Sequence, residues 1–145
     1  MSEIQSDNPP LTSNSPEAQS IIFPITQPFS FKTVDINIEN PYVVINITEV
    51  NDYGWIVING HCVASTNSNI KYPADLKRGE NAISVSLTNI SGATSIKASV
   101  SFYNGDHSKI REYGIDWADN QTSGAGAPGR SALTAQYTWL IKCGS

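Results

Sequence analysis

The chain has 145 residues and a formal net charge of −4, and only 15% of its residues are charged. Three of the acidic residues lie in the first twenty positions, which hold no Lys or Arg, so the rest of the chain is close to neutral. A nucleic-acid-binding surface needs clustered basic charge, and this composition argues against one. The length predicts one domain with its own apolar core.

No apolar run approaches the roughly 18 residues of a transmembrane helix, so we expect no membrane insertion. The N-terminus also lacks the basic and apolar regions of a secretory signal peptide. We therefore expect synthesis in the cytoplasm and a final location in a virion or another extracellular setting.

The first twenty residues are polar and rich in Pro and Ser, and such a composition cannot bury enough apolar surface to fold alone. We predict that residues 1–20 form an extended arm and residues 21–145 a single domain. Two open alternatives are a disordered tail and an arm that orders against other subunits of a homo-oligomer. Residues 21–31 contain Pro24 and Pro28, which predicts an edge strand or a strap over the core.

Apolar residues alternate with polar ones through most of the chain, as in half-buried strands. No amphipathic helix is apparent. Residues 64–78 are expected to be a loop, with a single turn that Asp75 caps and Gly79 ends. Residues 118–130 are predicted to form a second long loop. The fold class is all-β, an antiparallel jelly-roll-like sandwich of about seven to nine strands. The residues expected to face its core are Val34, Ile36, Ile38, Val43, Ile45, Ile47, Ile83, Val85, Leu87, Ile96, Ala98, Val100, Phe102, Leu133, Ala135, Tyr137, Trp139 and Ile141.

A β-hairpin is predicted around residues 51–65. Asn59-Gly60 lies between two strand-like runs, and a type I′ turn requires positive φ at both of its central positions. Asp52 is expected to accept hydrogen bonds from backbone N–H groups of its own turn. Trp55 falls within the strand pattern, which favours a place in the core.

These motifs resemble the galactose-binding-domain-like jelly roll, known from sugar-binding domains of β-galactosidase-type glycoside hydrolases and from viral and adhesin surface modules. The resemblance rests on residues 52–60, on Asp75-Leu76 with Gly79-Glu-Asn81, and on Asn89 followed by Gly92. It spans about residues 29–102 and implies the fold more than a function. Some domains of this class bind sugars, whereas others brace a catalytic domain or serve as surface modules. In this chain Asn81 and Asn89 are expected to satisfy backbone groups of loops.

Cys62 and Cys143 are the two cysteines, and two alternatives are open for them. They could remain free thiols in a reducing compartment. They could also form a disulfide if the hairpin and the last strand are neighbours, which would stabilise the fold by about 4 kcal/mol.

Carbohydrate binding is the best-supported small-ligand chemistry, because it needs exposed aromatic rings beside amides and carboxylates. The candidate ligand-binding residues are Tyr103, Asp106, His107, Tyr113, Trp117 and Asn120. Asp106 could also meet Asp116 or Asp119 at one end of the sandwich and hold a structural calcium ion, with no other cofactor expected. No nucleophile elbow or zinc spacing is present, and we predict that the chain is not an enzyme.

Two functions remain open. The first is a structural or attachment component of an extracellular particle, most specifically a bacteriophage tail, fibre-associated or decoration protein. The second is a lectin-like carbohydrate-binding module, free or excised from a larger bacterial adhesin, with cell-surface carbohydrate as its partner.

Overall fold

The computed structural model describes residues 5–6, 22–90, 92–119 and 132–144. These residues form two β-sheets that pack face to face, so the all-β sandwich expected from the sequence is confirmed. In the described part of the chain, no helix is long and apolar enough to span a membrane. The strands are β1 (Gln5–Ser6), β2 (Ile22–Ile25), β3 (Phe29–Ile36), β4 (Tyr42–Asn51), β5 (Tyr53–Ile58), β6 (His61–Thr66), β7 (Ile70–Asp75), β8 (Gly79–Asn89), β9 (Thr94–Tyr103), β10 (Lys109–Asp119) and β11 (Ala132–Cys143).

The strand order is β1-β3-β11-β8-β5-β6 in the six-stranded sheet and β2-β10-β9-β4-β7 in the five-stranded sheet. Most neighbours are antiparallel, but β1 with β3, β3 with β11, and β2 with β10 are parallel. Both sheets are therefore mixed rather than purely antiparallel. The parallel pairs all involve the first three strands, which lie at or next to one edge of each sheet. Of the predicted arm, only Gln5–Ser6 lies within the described residues.

The central hairpin has the turn that the sequence predicts. Asn59 and Gly60 have φ values of 50° and 84°, as a type I′ turn requires, and β6 returns from His61. The Asn59 side chain also accepts a hydrogen bond from the Ala82 backbone N–H at 2.8 Å. The hairpin is thus attached to β8 as well as closed on itself.

The segment expected to be a loop, residues 64–78, was wrongly predicted. It completes β6 and forms β7, which pairs antiparallel with β4. The two strands lie at the edges of different sheets, so the connection 67–69 crosses the sandwich. Asp75 ends a strand instead of capping a helical turn, and Gly79 does adopt positive φ, at 92°. The inward residues of β7, Ile70, Tyr72 and Ala74, are only half-buried against the core, because an edge strand has a neighbouring strand on one side only, which explains the weak apolar pattern of this segment.

The core is formed by the alternating inward residues of both sheets. Four aromatic side chains are its largest members, and Tyr113 contacts Trp139 at 5.6 Å and Phe102 at 6.1 Å between ring centroids. Leu133 was expected to face inward but is 52% exposed. A register irregularity between Leu133 and Ala135 reverses the alternation at that point, and the inward pattern begins only at Ala135.

Two polar residues link loops to strands. The buried Asn81 amide accepts from the Lys77 backbone N–H at 3.1 Å and donates to the Lys77 carbonyl at 2.8 Å. Asn89 donates to the Gly92 carbonyl at 3.0 Å, so both asparagines act on loop backbone as predicted. Asp52 differs from expectation, because its carboxylate accepts from the Ile90 N–H at 2.6 Å in a different turn.

Candidate functional site

Three of the sequence-predicted ligand residues lie together at one end of the sandwich. Tyr103 ends β9, and Asp106 and His107 lie in the turn that leads to β10. His107 has a φ of 74°, and its backbone N–H donates to the Asn104 carbonyl at 2.8 Å. This geometry places the imidazole beside Tyr42, which opens β4 and was not among the predicted ligand residues.

The polar groups of this turn are largely bonded to each other. The Tyr42 hydroxyl and His107 Nδ1 are 2.8 Å apart, and the Tyr42 ring stacks on Tyr103 with centroids 5.0 Å apart and planes 7° apart. Asp106 accepts hydrogen bonds from the hydroxyl and the backbone N–H of Ser108, at 2.6 and 3.0 Å. These two bonds lower the pKa of Asp106. The cluster is therefore built to hold the turn, and each tyrosine ring has one face covered by the other.

Two polar clefts adjoin this end of the sandwich. One, of about 310 Å³, is bordered by Glu39, Asn40 and the turn 104–106. The other, of about 530 Å³, lies between the loop 37–41 and the chain near Cys143. Neither cleft is lined by the Tyr42 or Tyr103 rings. The aromatic platform that a sugar ring requires is therefore missing from both clefts.

The remaining predicted ligand residues do not join this cluster. Tyr113 has no exposed surface and belongs to the core, which corrects its assignment as a ligand residue. Trp117 is half-buried against the core. It lies eight residues along β10 from Lys109, and Lys109 pairs with Tyr103 on β9. At about 3.3 Å per residue it lies about 26 Å away. Asn120 lies outside the described residues.

The expected meeting of aspartates at one end of the sandwich is also wrong. Asp116 pairs with Lys97 and Asp119 with Thr94, at the opposite end of β10 from the turn that holds Asp106. Within the described ranges, no group of three His, Cys, Asp or Glu side chains could hold a metal ion. These particular aspartates therefore cannot share a calcium ion.

Both cysteines are free thiols. Cys62 is exposed on β6 and Cys143 is buried in β11, and β8 and β5 lie between these strands. Three strand spacings alone place them about 14 Å apart across the sheet, well beyond the reach of a disulfide. The disulfide alternative is therefore excluded in this fold, because the hairpin and the last strand are not neighbours.

A second surface, which the sequence reasoning missed, is the outer face of the six-stranded sheet. Large side chains stand on two of its strands. On β3, Phe29 and Phe31 are 55% and 39% exposed, and on β5, Tyr53 is 39% exposed beside the half-buried Trp55. The Tyr53 and Trp55 rings lie 6.4 Å apart between centroids. Trp55, expected in the core, is therefore on the outer face.

Between these aromatic strands lie β8 and β11, where Ser84, Ser86, Gln136 and Thr138 carry hydroxyl or amide groups, whereas Leu133 and Leu140 add apolar side chains to the same face. Ser86 pairs with both Trp55 and Gln136, and Gln136 pairs with Phe29. One row of paired residues thus runs across four strands, from Trp55 on β5 to Phe29 on β3. A parallel row runs through Val57, Ser84, Thr138 and Phe31. We call this surface the outer trough and refer to its aromatic residues Phe29, Phe31, Tyr53 and Trp55 as the walls and to Ser84, Ser86, Gln136 and Thr138 as the floor, in which Ser86 is only 8% exposed.

Hydrogen bonds fix parts of the trough. The Trp55 indole donates from Nε1 to Thr88 Oγ1 at 2.9 Å, and the Ser84 and Thr138 hydroxyls are 3.1 Å apart. Because the indole N–H is engaged within the sheet, the orientation of the ring is set before any ligand arrives.

The two outer faces differ in charge. On β3, β5, β8 and β11, the charged outward side chains are confined to one end, where Lys142 pairs with Asp35 and Glu80. The five-stranded sheet instead carries ion pairs on its outer face, Lys97 with Glu49 and Lys109 with Glu112. The hydrogen bond from Lys109 to Glu112 raises the pKa of Lys109. The walls and floor of the outer trough thus carry no charged side chain, whereas the outer face of the other sheet carries two ion pairs.

A sequence signal for the trough does exist in the alternation of β3. Phe29 and Phe31 occupy odd positions, whereas the inward Val34 and Ile36 occupy even ones. In one uninterrupted strand, residues of opposite parity must face opposite sides of the sheet. Trp55 and Ile56 face opposite sides of the sheet in β5 for the same reason.

Comparison of the chain with protein-family models, with curated proteins and with solved structures found no match in any of the three. The description of the fold as a β-sandwich therefore rests on its strand order and packing.

Proposed function

We propose that this protein is a non-enzymatic structural or attachment component of an extracellular particle, in its most specific form a bacteriophage virion protein. The observation that carries the proposal is the pairing of β1 with β3, in which residues from the N-terminal arm extend the edge of the six-stranded sheet. An open sheet edge presents unpaired N–H and C=O groups to any extended segment. An arm supplied by a neighbouring copy can pair there as well as the chain's own arm.

The surroundings of this edge support the proposal. Pairing is parallel, with Gln5 opposite Lys32 and Ser6 opposite Thr33, and it uses backbone groups of β3. Within the described residues, β1 pairs with two positions of the eight-residue β3. A longer segment from another subunit could extend along β3 by the same parallel pairing.

The test separates backbone pairing from side-chain effects. Proline cannot donate to a strand ladder, so Gln5→Pro/Ser6→Pro should block the pairing, whereas Gln5→Ala/Ser6→Ala should keep it. We expect wild type and the alanine variant to form oligomers by light scattering, and the proline variant to remain monomeric. Monomeric wild-type protein at high concentration, or an assembled proline variant, would contradict the proposal.

The galactose-binding-like jelly-roll relationship is the finer part of this proposal. It is supported by the positive φ of Asn59 and Gly60 and by the backbone contacts of Asn81 and Asn89. A second candidate function, a lectin-like carbohydrate-binding module, is favoured by one specific surface, the outer trough.

A further inference from the structure

We infer that the outer trough is an interface between two copies of this chain, packed sheet on sheet about a two-fold axis that runs along the strands between β8 and β11. The inference rests on the arm-mediated assembly proposed above, because it names the face that the same two copies bring together. In this arrangement β3 lies opposite β5 of the second copy, and β11 lies opposite its β8.

Exposed apolar side chains are concentrated on this face. Of the six large apolar side chains most exposed among the described residues, four stand on the outer side of the six-stranded sheet. Phe29 and Leu133 are 55% and 52% exposed, and Phe31 and Tyr53 are each 39% exposed. The outer side of the other sheet carries two ion pairs instead. Such a one-sided apolar patch indicates a surface that another molecule covers.

The shape of the face suits another sheet. Ser86, in the middle of the floor, is only 8% exposed, so the side chains around it close over the centre and leave a shallow surface. Two such sheets can pack about 10 Å apart with their strands nearly aligned. The axis returns each row of paired residues to its own level, so Gln136 lies opposite Ser86 and Thr138 opposite Ser84. Their hydroxyl and amide groups both donate and accept hydrogen bonds, and they can pair across the interface.

The two aromatic walls meet each other in this arrangement. The axis exchanges the two margins of the trough, so Phe29 of one copy lies opposite Trp55 of the other, and Phe31 lies opposite Val57. Aromatic pairs contribute beyond the area that they bury. The indole of Trp55 is already held by its bond to Thr88 at 2.9 Å, so it loses little side-chain entropy on association.

Charge selects this axis over the alternative. Lys142 and Glu80 are exposed and lie side by side at one end of the trough, and among the described residues neither takes part in an ion pair. The axis brings Lys142 of each copy opposite Glu80 of the other, which gives two ion pairs across the interface. A two-fold axis across the strands would instead lay Lys142 over the end that carries Leu133, where its charge would face an apolar group.

The area of the face fits a pair of copies that the arms also hold together. Five strands, from β3 to β6, span about 24 Å, and the eight residues of β3 span about 26 Å. The resulting face of roughly 600 Å² per copy is at the lower end of the range for a specific interface. The arm pairing is also short, at two positions of β3. We therefore expect assembly to require both contacts.

The experiment measures assembly of the full chain by sedimentation velocity, with circular dichroism to show that each variant is folded. Lys142→Glu and Glu80→Lys should each weaken assembly at least tenfold, because like charges then face each other across the axis. An equimolar mixture of the two variants should assemble like wild type, because the mixed pair has opposite charges at both contacts. Within each variant chain residues 80 and 142 still repel each other, so mixing would not rescue a folding defect.

Two further variants complete the experiment. Phe31→Ser removes an exposed ring from one wall without changing any charge, and it should also weaken assembly at least tenfold. Lys97→Glu is the matched control, because it makes the same charge change at an exposed lysine on the outer face of the other sheet. It should assemble like wild type.

Three results would overturn the inference. One is a mixture of Lys142→Glu and Glu80→Lys that assembles no better than either variant alone. Another is a Phe31→Ser variant that assembles like wild type, which would leave the face free for carbohydrate. The third is a loss in Lys97→Glu equal to that in Lys142→Glu.

The arm and the face can fail separately. A monomeric proline variant at residues 5 and 6, together with face variants that assemble like wild type, would uphold the arm and overturn the face interface. An assembled proline variant, together with rescue by mixing, would contradict the arm and uphold the face interface.

Discussion

The indole Nε1 of Trp55 donates to Oγ1 of Thr88 at 2.9 Å, and this bond joins β5 to β8 on the outer face of the sheet. Thr88→Val keeps the shape of the side chain but removes the acceptor. A partly buried hydrogen bond contributes about 1 kcal/mol, so the free energy of unfolding should fall by about that amount. Urea unfolding followed by circular dichroism measures it. Thr88→Ser, which retains a hydroxyl, is the control and should lose less; equal losses would show that the bond contributes nothing.

The Asn59–Gly60 turn is predicted to depend on the positive φ of Gly60. A Cβ at Gly60 would meet no atom within 4 Å, so the cost of Gly60→Ala is conformational rather than steric. We expect a loss of about 1 kcal/mol in the free energy of unfolding. Gly114→Ala is the matched control, since its Cβ would meet only Ile22 at 3.8 Å and its φ is not positive. It should be neutral, and a larger loss at Gly114 than at Gly60 would refute the argument.

Asn81 is predicted to be the most sensitive polar residue of the fold. Its amide is buried and bonds the backbone of Lys77, the Asn59 amide at 3.2 Å and the Cys143 sulfur at 3.6 Å. Asn81→Ala leaves several of these partners without a bond, which should cost about 2 to 3 kcal/mol of unfolding free energy. Thermal unfolding measures this cost. Asn46→Ala, on the outer side of β4, serves as the control and should stay within about 0.5 kcal/mol of wild type.

The buried Tyr137 should make the stability of the fold depend on pH in the alkaline range. Burial raises the pKa of Tyr137 to about 12, from a usual value near 10. Because the folded pKa is raised, the unfolded chain ionises first, and stability should fall as pH rises from about 10 towards 12. Its hydroxyl has no hydrogen-bond partner among the described residues. Tyr137→Phe should therefore be at least as stable as wild type at pH 7 and should lose less stability at high pH. An equal loss in both proteins would assign the alkaline effect to other groups.

The cysteines should behave as two unlike free thiols. Cys62 is exposed, whereas burial both shields Cys143 and raises its pKa, which disfavours the reactive thiolate. A thiol reagent such as Ellman's reagent should label one cysteine per native chain and two in denaturant. Cys62→Ser should abolish the native reaction. If neither cysteine reacts until the protein is treated with a reductant, a disulfide is present and the free-thiol assignment is wrong.

Local patterns in the sequence determined most of the strands and most of the core, although they missed the strand at 70–75. The alternation in residues 94–103 predicts which side chains are buried, because strand geometry sends successive residues to opposite faces. Asn59-Gly60 predicts its turn because few residue pairs accept positive φ at both positions. These are properties of neighbours in sequence, and they require no knowledge of distant parts of the chain.

Only the tertiary structure decided which strands are neighbours. Strand order separates Cys62 from Cys143, although the sequence allowed this pair to meet. The same order brings the Phe29–Phe31 and Tyr53–Trp55 walls to either side of β8 and β11, and so creates the outer trough. Pairing between distant strands depends on the packing of the whole sandwich, so residues far apart in sequence form a surface that no local pattern contains.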